Sequence, residues 1–297
     1  MDVLRSRTKT LVIAAVLGLT LTACGGLDAT TLRDDGTRAS AGTVSSDSSD
    51  VADKQRDLIA GDVIHLSEMM ARAQESYATV HLESSMDGEG LENEGLSAIV
   101  QSGDVVLGAS SADRRIDMTM EIMDEPIEMI LVDSTMYMDL GEFGVGEGAL
   151  LSLPLDDLAE EPGLLRALDL VVGADPALQI RQLSEAVIGF EYDGPEVIDG
   201  IELDVYRATL DPRRVSDPAP LVMGDAELAH VSAAPIYMVF RIDADNLPVA
   251  IDTVSEAAGH KTVKATRYSD WGKNVSIEAP PAEQVIPFDE VVAEWNG

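Results

Sequence analysis

Between residues 114 and 140 apolar and polar side chains alternate, and the alternation stays in phase across two expected turns. A period of two sends successive side chains to opposite faces of a strand. With turns at Asp124-Glu125 and Asp133-Ser134, antiparallel pairing sets Met120 opposite Met129 and Met129 opposite Met138. One face then carries Ile116, Met118, Met120 and Ile122, beside Ile127, Met129 and Leu131, beside Met136, Met138 and Leu140. The other carries Asp117, Glu121, Glu128 and Asp139, with Glu121 and Asp139 both neighbouring Glu128. Adjacent like charges are unfavourable, so the acidic face must be wet. The greasy face must be covered.

The rest of the chain offers the covering elements. Ile59, Val63, Leu66, Met70, Ala73 and Tyr77 recur at helical spacing and predict a helix over 57–77. Strands follow from Val80, Leu82 and Met86, and again over 96–107, with a turn at 88–95 between them. A helix is expected from Pro162 to the stop at Gly173, with Leu164, Leu165, Leu168 and Val172 apolar. Asp175-Pro176 is a good N-cap and first-turn pair for another helix, to about Ala186. Strands return over 187–192, 203–210, 236–242, 247–254 and 261–268. The prolines and charges of 211–234 suit an excursion, and an extended tail starts at Val275. Helix, five strands, two helices and five strands make an α+β domain built on one antiparallel sheet. A sheet of about ten strands must curl, and helices inside the curl leave a greasy cavity between the layers.

Cys24 is the one cysteine of the 297 residues. It ends Leu21-Thr22-Ala23-Cys24, after a basic start (Arg5, Arg7, Lys9) and an apolar run over 11–21. That run is short for a bilayer span, which needs roughly twenty apolar residues. It reads as the core of a lipoprotein signal peptide over 1–23, with Cys24 acylated and the mature chain anchored on the extracytoplasmic face of the cell membrane. Residues 24–55, rich in Gly, Ser, Thr and Asp, form a flexible tether with a reach of about 30 Å. A single domain is expected over 56–297. With Cys24 acylated no thiol remains for disulfides, so the fold rests on its core.

The chain has 54 acidic and 20 basic residues, a formal charge of −34, and removing 1–23 (net +2) makes it −36. That excess excludes nucleic acid as a partner, and it leaves adhesion to the membrane to the acyl anchor. Catalysis finds little support. His65, His81, His230 and His260 are scattered, no Gly-x-Ser-x-Gly or His-Glu-x-x-His occurs, and no cofactor or metal set stands out. Asp243-Ala244-Asp245-Asn246 lacks the glycine and distal glutamate of a calcium loop and suits a hairpin turn.

Three stretches resemble lipoproteins of the LppX/LprG type. They are Asp199-Gly200-Ile201 before Tyr206-Arg207-Ala208-Thr209, the hairpin from Ile242 to Val249, and Tyr268-Ser269-Asp270-Trp271-Gly272-Lys273 before Ile277-Glu278-Ala279-Pro280-Pro281. The resemblance implies a LolA/LolB-like fold: a half-open β-barrel with helices packed on its concave face around an apolar cavity. It also implies a non-enzymatic carrier of acylated lipids or glycolipids in the cell envelope, with a membrane transporter as a further candidate partner. Unbranched, polarizable methionines conform to acyl chains of varied shape. The expected lining is therefore Met118, Met120, Ile122, Met129, Leu131, Met136 and Met138, facing Ile236, Met238 and Phe240. The same pattern is also that of ordinary core packing. The helix from Leu164 to Val172 would be the lid or mouth, and Trp271 beside Tyr268 a strand end. Two rivals stand beside the carrier: an envelope lipid sensor acting on a membrane partner, and an acidic hydrolase of wall polymers.

Overall fold

Asp62 accepts hydrogen bonds from the backbone N–H groups of Ile64 (2.9 Å) and His65 (3.4 Å), and so caps helix α1, Val63–Tyr77. The computed structural model describes residues 62–89, 98–108, 113–122, 125–139, 149–155, 175–214, 234–257 and 259–291. Cys24, the tether, the turn at 88–95 beyond Glu89, the helix expected from Pro162 to Gly173 and most of the excursion at 211–234 lie outside these residues. The buried stripe of α1 is Val63, Leu66, Ser67, Met69, Met70 and Gln74. It therefore takes in Ser67 and Gln74, where the sequence pattern expected Ala73 and Tyr77. Ser67 spends its hydroxyl on the Ile64 carbonyl (2.8 Å), which makes its burial cheap.

Ala78 ends α1 in the left-handed region (φ 58°), donating its N–H to the Gln74 carbonyl at 3.0 Å. The chain then starts β1, Thr79–Gly88. Then come β2 (Ala98–Val106), β3 (Arg115–Ile122), β4 (Glu125–Val132), β5 (Thr135–Asp139) and β6 (Leu150–Pro154). Helix α2, Pro176–Leu183, and a 3-10 turn at Ser184–Ala186 precede the second set of strands. These are β7 (Val187–Ile198), β8 (Ile201–Leu210), β9 (Ile236–Ile242), β10 (Pro248–Ala257) and β11 (His260–Ser269). A short β12, Val285–Pro287, closes the order.

All twelve strands join one sheet in the order β12-β6-β5-β4-β3-β2-β1-β11-β10-β9-β8-β7. Two meanders thus flank β1. Every pairing is antiparallel except that of β12 with β6. The sheet stays open, with β7 and β12 as edges, yet one core cluster holds residues of both wings together with α1 and α2. A sheet can join its wings through one core only by curling around what lies between them. The fold is therefore the curled, unclosed antiparallel sheet with helices on its concave face that the sequence led us to expect.

Several details differ. The β3–β4 hairpin pairs Met118, not Met120, with Met129, and Met120 with Ile127. Glu125 begins β4 opposite Ile122 instead of lying in the turn, so the connection is tighter than expected. Because the slip is two residues, every side chain keeps its face. Thr119, not Glu121, then stands opposite Glu128, while Asp139 does oppose Glu128. The second turn lies where expected, with Asp133 and Ser134 both at positive φ (51° and 58°), the backbone of a tight twisted hairpin. β6 and β12 are strands where none was expected. β7 and β8 run further than 187–192 and 203–210, up to a two-residue turn at Asp199-Gly200. At the Asp243 hairpin the carboxylate accepts the N–H groups of Asp245 (3.0 Å) and Leu247 (2.9 Å), so it serves the turn.

Two positions hold this architecture tightly. Gly103 on β2 has no room for a side chain, since a Cβ there would run into the Asp117 carbonyl and the backbone of Met118. Gly103→Ala should destabilise the fold by about 1–3 kcal/mol, seen as a lower urea midpoint. Asp175 caps α2 by accepting the Leu178 N–H (3.0 Å) and also accepts from Arg114 Nη2 (2.9 Å), whose side chain is 7 % exposed. Asp175→Ala strands that guanidinium, and roughly 3–5 kcal/mol should be lost. Asp175→Asn, which keeps the cap, should cost distinctly less in the same denaturation experiment.

Candidate functional site

Partners across a ladder share a face, so the pairings can be followed as rows over the concave side. One row runs Leu151–Met138–Met129–Met118–Gly103–Leu82–Tyr268. The next runs Ile127–Met120–Gln101–Ser84–Thr266–Ile251–Phe240–Tyr206. A third runs Ile99–Met86–Lys264–Thr253–Met238–Ala208. Met136 and Leu131 are paired beside the first row. The methionine wing and the Ile236–Met238–Phe240 wing are thus two ends of one surface.

Nine of the ten expected lining residues lie in the common core cluster; the side chain of Ile122 lies outside the described set. Their exposures run from 1 % for Met118, Met120, Met129, Met136 and Phe240 to 4 % for Leu131 and Met138. Leu66 and Met70 of α1 and Ile180 and Leu183 of α2 belong to the same cluster. In this structure protein side chains fill the concave face, so a guest must displace them.

The middle of the surface is polar, which the sequence pattern did not single out. Ser84 (6 % exposed) and Thr266 (5 %) touch hydroxyl to hydroxyl at 3.3 Å, and Gln101 (3 %) donates Nε2–H to the sulfur of Met120 at 3.6 Å. Lys264 pairs with Met86 on one side and Thr253 on the other, which puts it on the same face. The signal was present: Lys264, Thr266 and Tyr268 share the parity of a strand whose inner side is apolar at Tyr268. Burial, with the Asp175 charge second, pushes the Tyr268 phenol up and keeps it neutral. Trp271 stacks on Tyr268 (6.3 Å between centroids) and donates its indole N–H to the Pro248 carbonyl at 3.2 Å. Its expected part as a strand end agrees with this.

The convex side holds one constellation with a catalytic look. His81 Nδ1 lies 2.7 Å from an Asp104 carboxylate oxygen, and its Nε2 lies 3.4 Å from the Ser102 hydroxyl. A serine nucleophile also needs backbone N–H groups aimed at the oxyanion. Here β2 is paired on both edges, with β1 and with β3, so its N–H groups lie in the plane of the sheet and none points off the face. Asp104 stands opposite Asp117, whose carboxyl is raised by burial and then by that neighbour, and His81 sits against the pair. Among the described residues no cluster of His, Cys, Asp and Glu could hold a metal ion, and no helix is long and apolar enough to cross a membrane.

No family model matches the sequence, and no curated protein sequence matches it. Solved structures do. Lipoprotein LppX from Mycobacterium tuberculosis aligns with 73 % of this chain and 98 % of its own, at 14 % identity and a TM-score of 0.48. LprF from Mycobacterium bovis aligns with 74 % of this chain and 97 % of its own, at 15 % identity and a TM-score of 0.47. The curled, open sheet stands on its own strand pairings, and likenesses at this level say nothing of what this chain binds.

Proposed function

We propose that the protein is a non-enzymatic carrier that takes the acyl chains of a lipid or glycolipid between its sheet and its helices. In this reading Cys24, acylated, holds it at the extracytoplasmic face of the membrane, and the tether lets the domain move between bilayer and acceptor. The observation that carries the reading is the concave methionine surface: Met118, Met120, Met129, Met136 and Met138 on three adjacent strands, all on one side. Three rotatable bonds let each methionine refit its neighbours at small cost, which branched residues resist.

A sixteen-carbon chain moved out of water gains roughly 11 kcal/mol at about 0.8 kcal/mol per methylene. Against this stands the loss of the contacts that fill the surface now. The net is a modest affinity, which suits a protein that must also release its load. The resemblance of the sequence to LppX/LprG-type lipoproteins supports the same reading, and so does the anchor signal at Cys24.

Native mass spectrometry of the full chain, purified from a host that acylates lipoproteins, tests it. The expected result is one non-covalent acyl lipid per chain, lost on denaturation while the covalent anchor stays. A mass free of bound lipid, together with no uptake of added glycolipid, would overturn the reading and leave the methionines as plain core.

A further inference from the structure

Lys264 is out of keeping with its surroundings. Its ladder partners Met86 and Thr253 lie on the concave face, and one step along the strands Ser84 and Thr266 lie there too, both buried. Beyond Met86 comes Ile99, and beyond Thr253 comes Met238, so greasy walls flank a small polar centre. The protein around the ammonium is dense enough to push its pKa below the ordinary lysine value, by desolvation alone, although the side chain keeps a partial opening to solvent.

The arginines of the sheet's second wing are treated differently. Arg207 pairs with Asp193, Arg241 with Glu196 and Asp252, and Arg267 with Asp252. In a chain with 54 carboxylates a carboxylate is easily found for a cation. Among the described residues Lys264 has none. A desolvated charge without a counter-charge is costly, and an anion entering from outside would supply it. The neighbouring hydroxyls of Ser84, Thr253 and Thr266 can donate hydrogen bonds to the same anion.

We propose that Lys264, with Ser84, Thr253 and Thr266 beside it, holds the anionic end of the acyl ligand, a carboxylate or a phosphate. The methionine and Ile236–Phe240 walls would take the chains. This rests on the carrier reading and narrows it to acidic lipids. The competing arrangement has the lysine stem lying over Met86 while the ammonium reaches water through the opening, and it gives no preference for charge.

The test uses the delipidated full chain and two pairs of pyrene-labelled probes. One pair is hexadecanoic acid and its methyl ester; the other is phosphatidic acid and the matching diacylglycerol. The acid of at least one pair should bind about tenfold or more tighter than its neutral partner, the worth of one charge-assisted hydrogen bond in a partly buried site. The pair that shows the preference tells carboxylate from phosphate. Lys264→Met should erase the preference, bringing the acid and its neutral partner to equal affinity, while Lys264→Arg should keep it. Equal binding within both pairs by the unmutated protein overturns the lysine assignment and leaves the carrier reading standing. Preference that survives Lys264→Met also overturns it. Uptake of no probe at all sinks the carrier reading itself, and this assignment with it.

Discussion

The sheet depends on β1. Its backbone is paired along one edge with β2 from Thr79 to Asp87, and along the other with β11 from His81 to Gly88. These two ladders are where the meander β2–β6 and the meander β7–β11 become one sheet. The strand is also tied at its start: Leu107 N–H reaches the Ala78 carbonyl, Gly272 N–H reaches the Thr79 carbonyl, and the Thr79 hydroxyl donates to the Lys273 carbonyl at 2.8 Å. Fixing β1 fixes the parity of every strand outward, because each ladder passes the face on to the next. A one-residue slip at β1 would turn the methionines of β3 to β5 into water and the carboxylates of the convex side into the core. With its one cysteine at position 24, well outside the described domain, the fold rests on that parity, the packing it enforces and buried polar ties such as Arg114–Asp175.

How much of this was legible follows from what sets each feature. The concave face was readable because period-two alternation is a local property, and β3, β4 and β5 each show it in full. Register was less so. Met120 opposite Met129 and Met118 opposite Met129 bury the same residues, so hydrophobic pattern alone does not separate them. The turn decides, and Asp124 gave no unique turn signal, whereas Asp133-Ser134 did. β12 escaped because three residues, Val285–Pro287, carry too little pattern, and their pairing with β6 depends on a partner more than a hundred residues away. In α1 the tertiary contact chose Ser67 and Gln74 over Ala73 and Tyr77 for the buried stripe, a rotation that spacing alone does not set.

The polar centre was hidden for a related reason. A sequence reading looks for apolar residues at core parity and passes over the exceptions. Gln101, Ser84, Thr266 and Lys264 are spread over three strands, and their extremes, Ser84 and Thr266, lie 182 positions apart in sequence. Only the ladders β2–β1–β11 set them side by side. The convex constellation of His81, Asp104 and Ser102 is assembled by the same ladders, and it shows the opposite lesson. Three residue types at suggestive distances make no catalytic site where the backbone donors around them are already committed to the sheet.

The packing of the concave face sets a limit on how any ligand could be held. The residues best suited to touch an acyl chain are also those that stabilise the empty domain, with exposures of 1–4 %. Ligand and core therefore compete for the same surface, and every methylene taken up displaces protein contacts of similar worth. Such a site gains little from lengthening the chain and discriminates poorly on apolar shape. Selectivity must come from a group the core does not satisfy by itself. Among the described residues of the sheet's concave face the ammonium of Lys264 has no counter-charge, so in the proposed carrier charge, more than chain length, would tell one lipid from another.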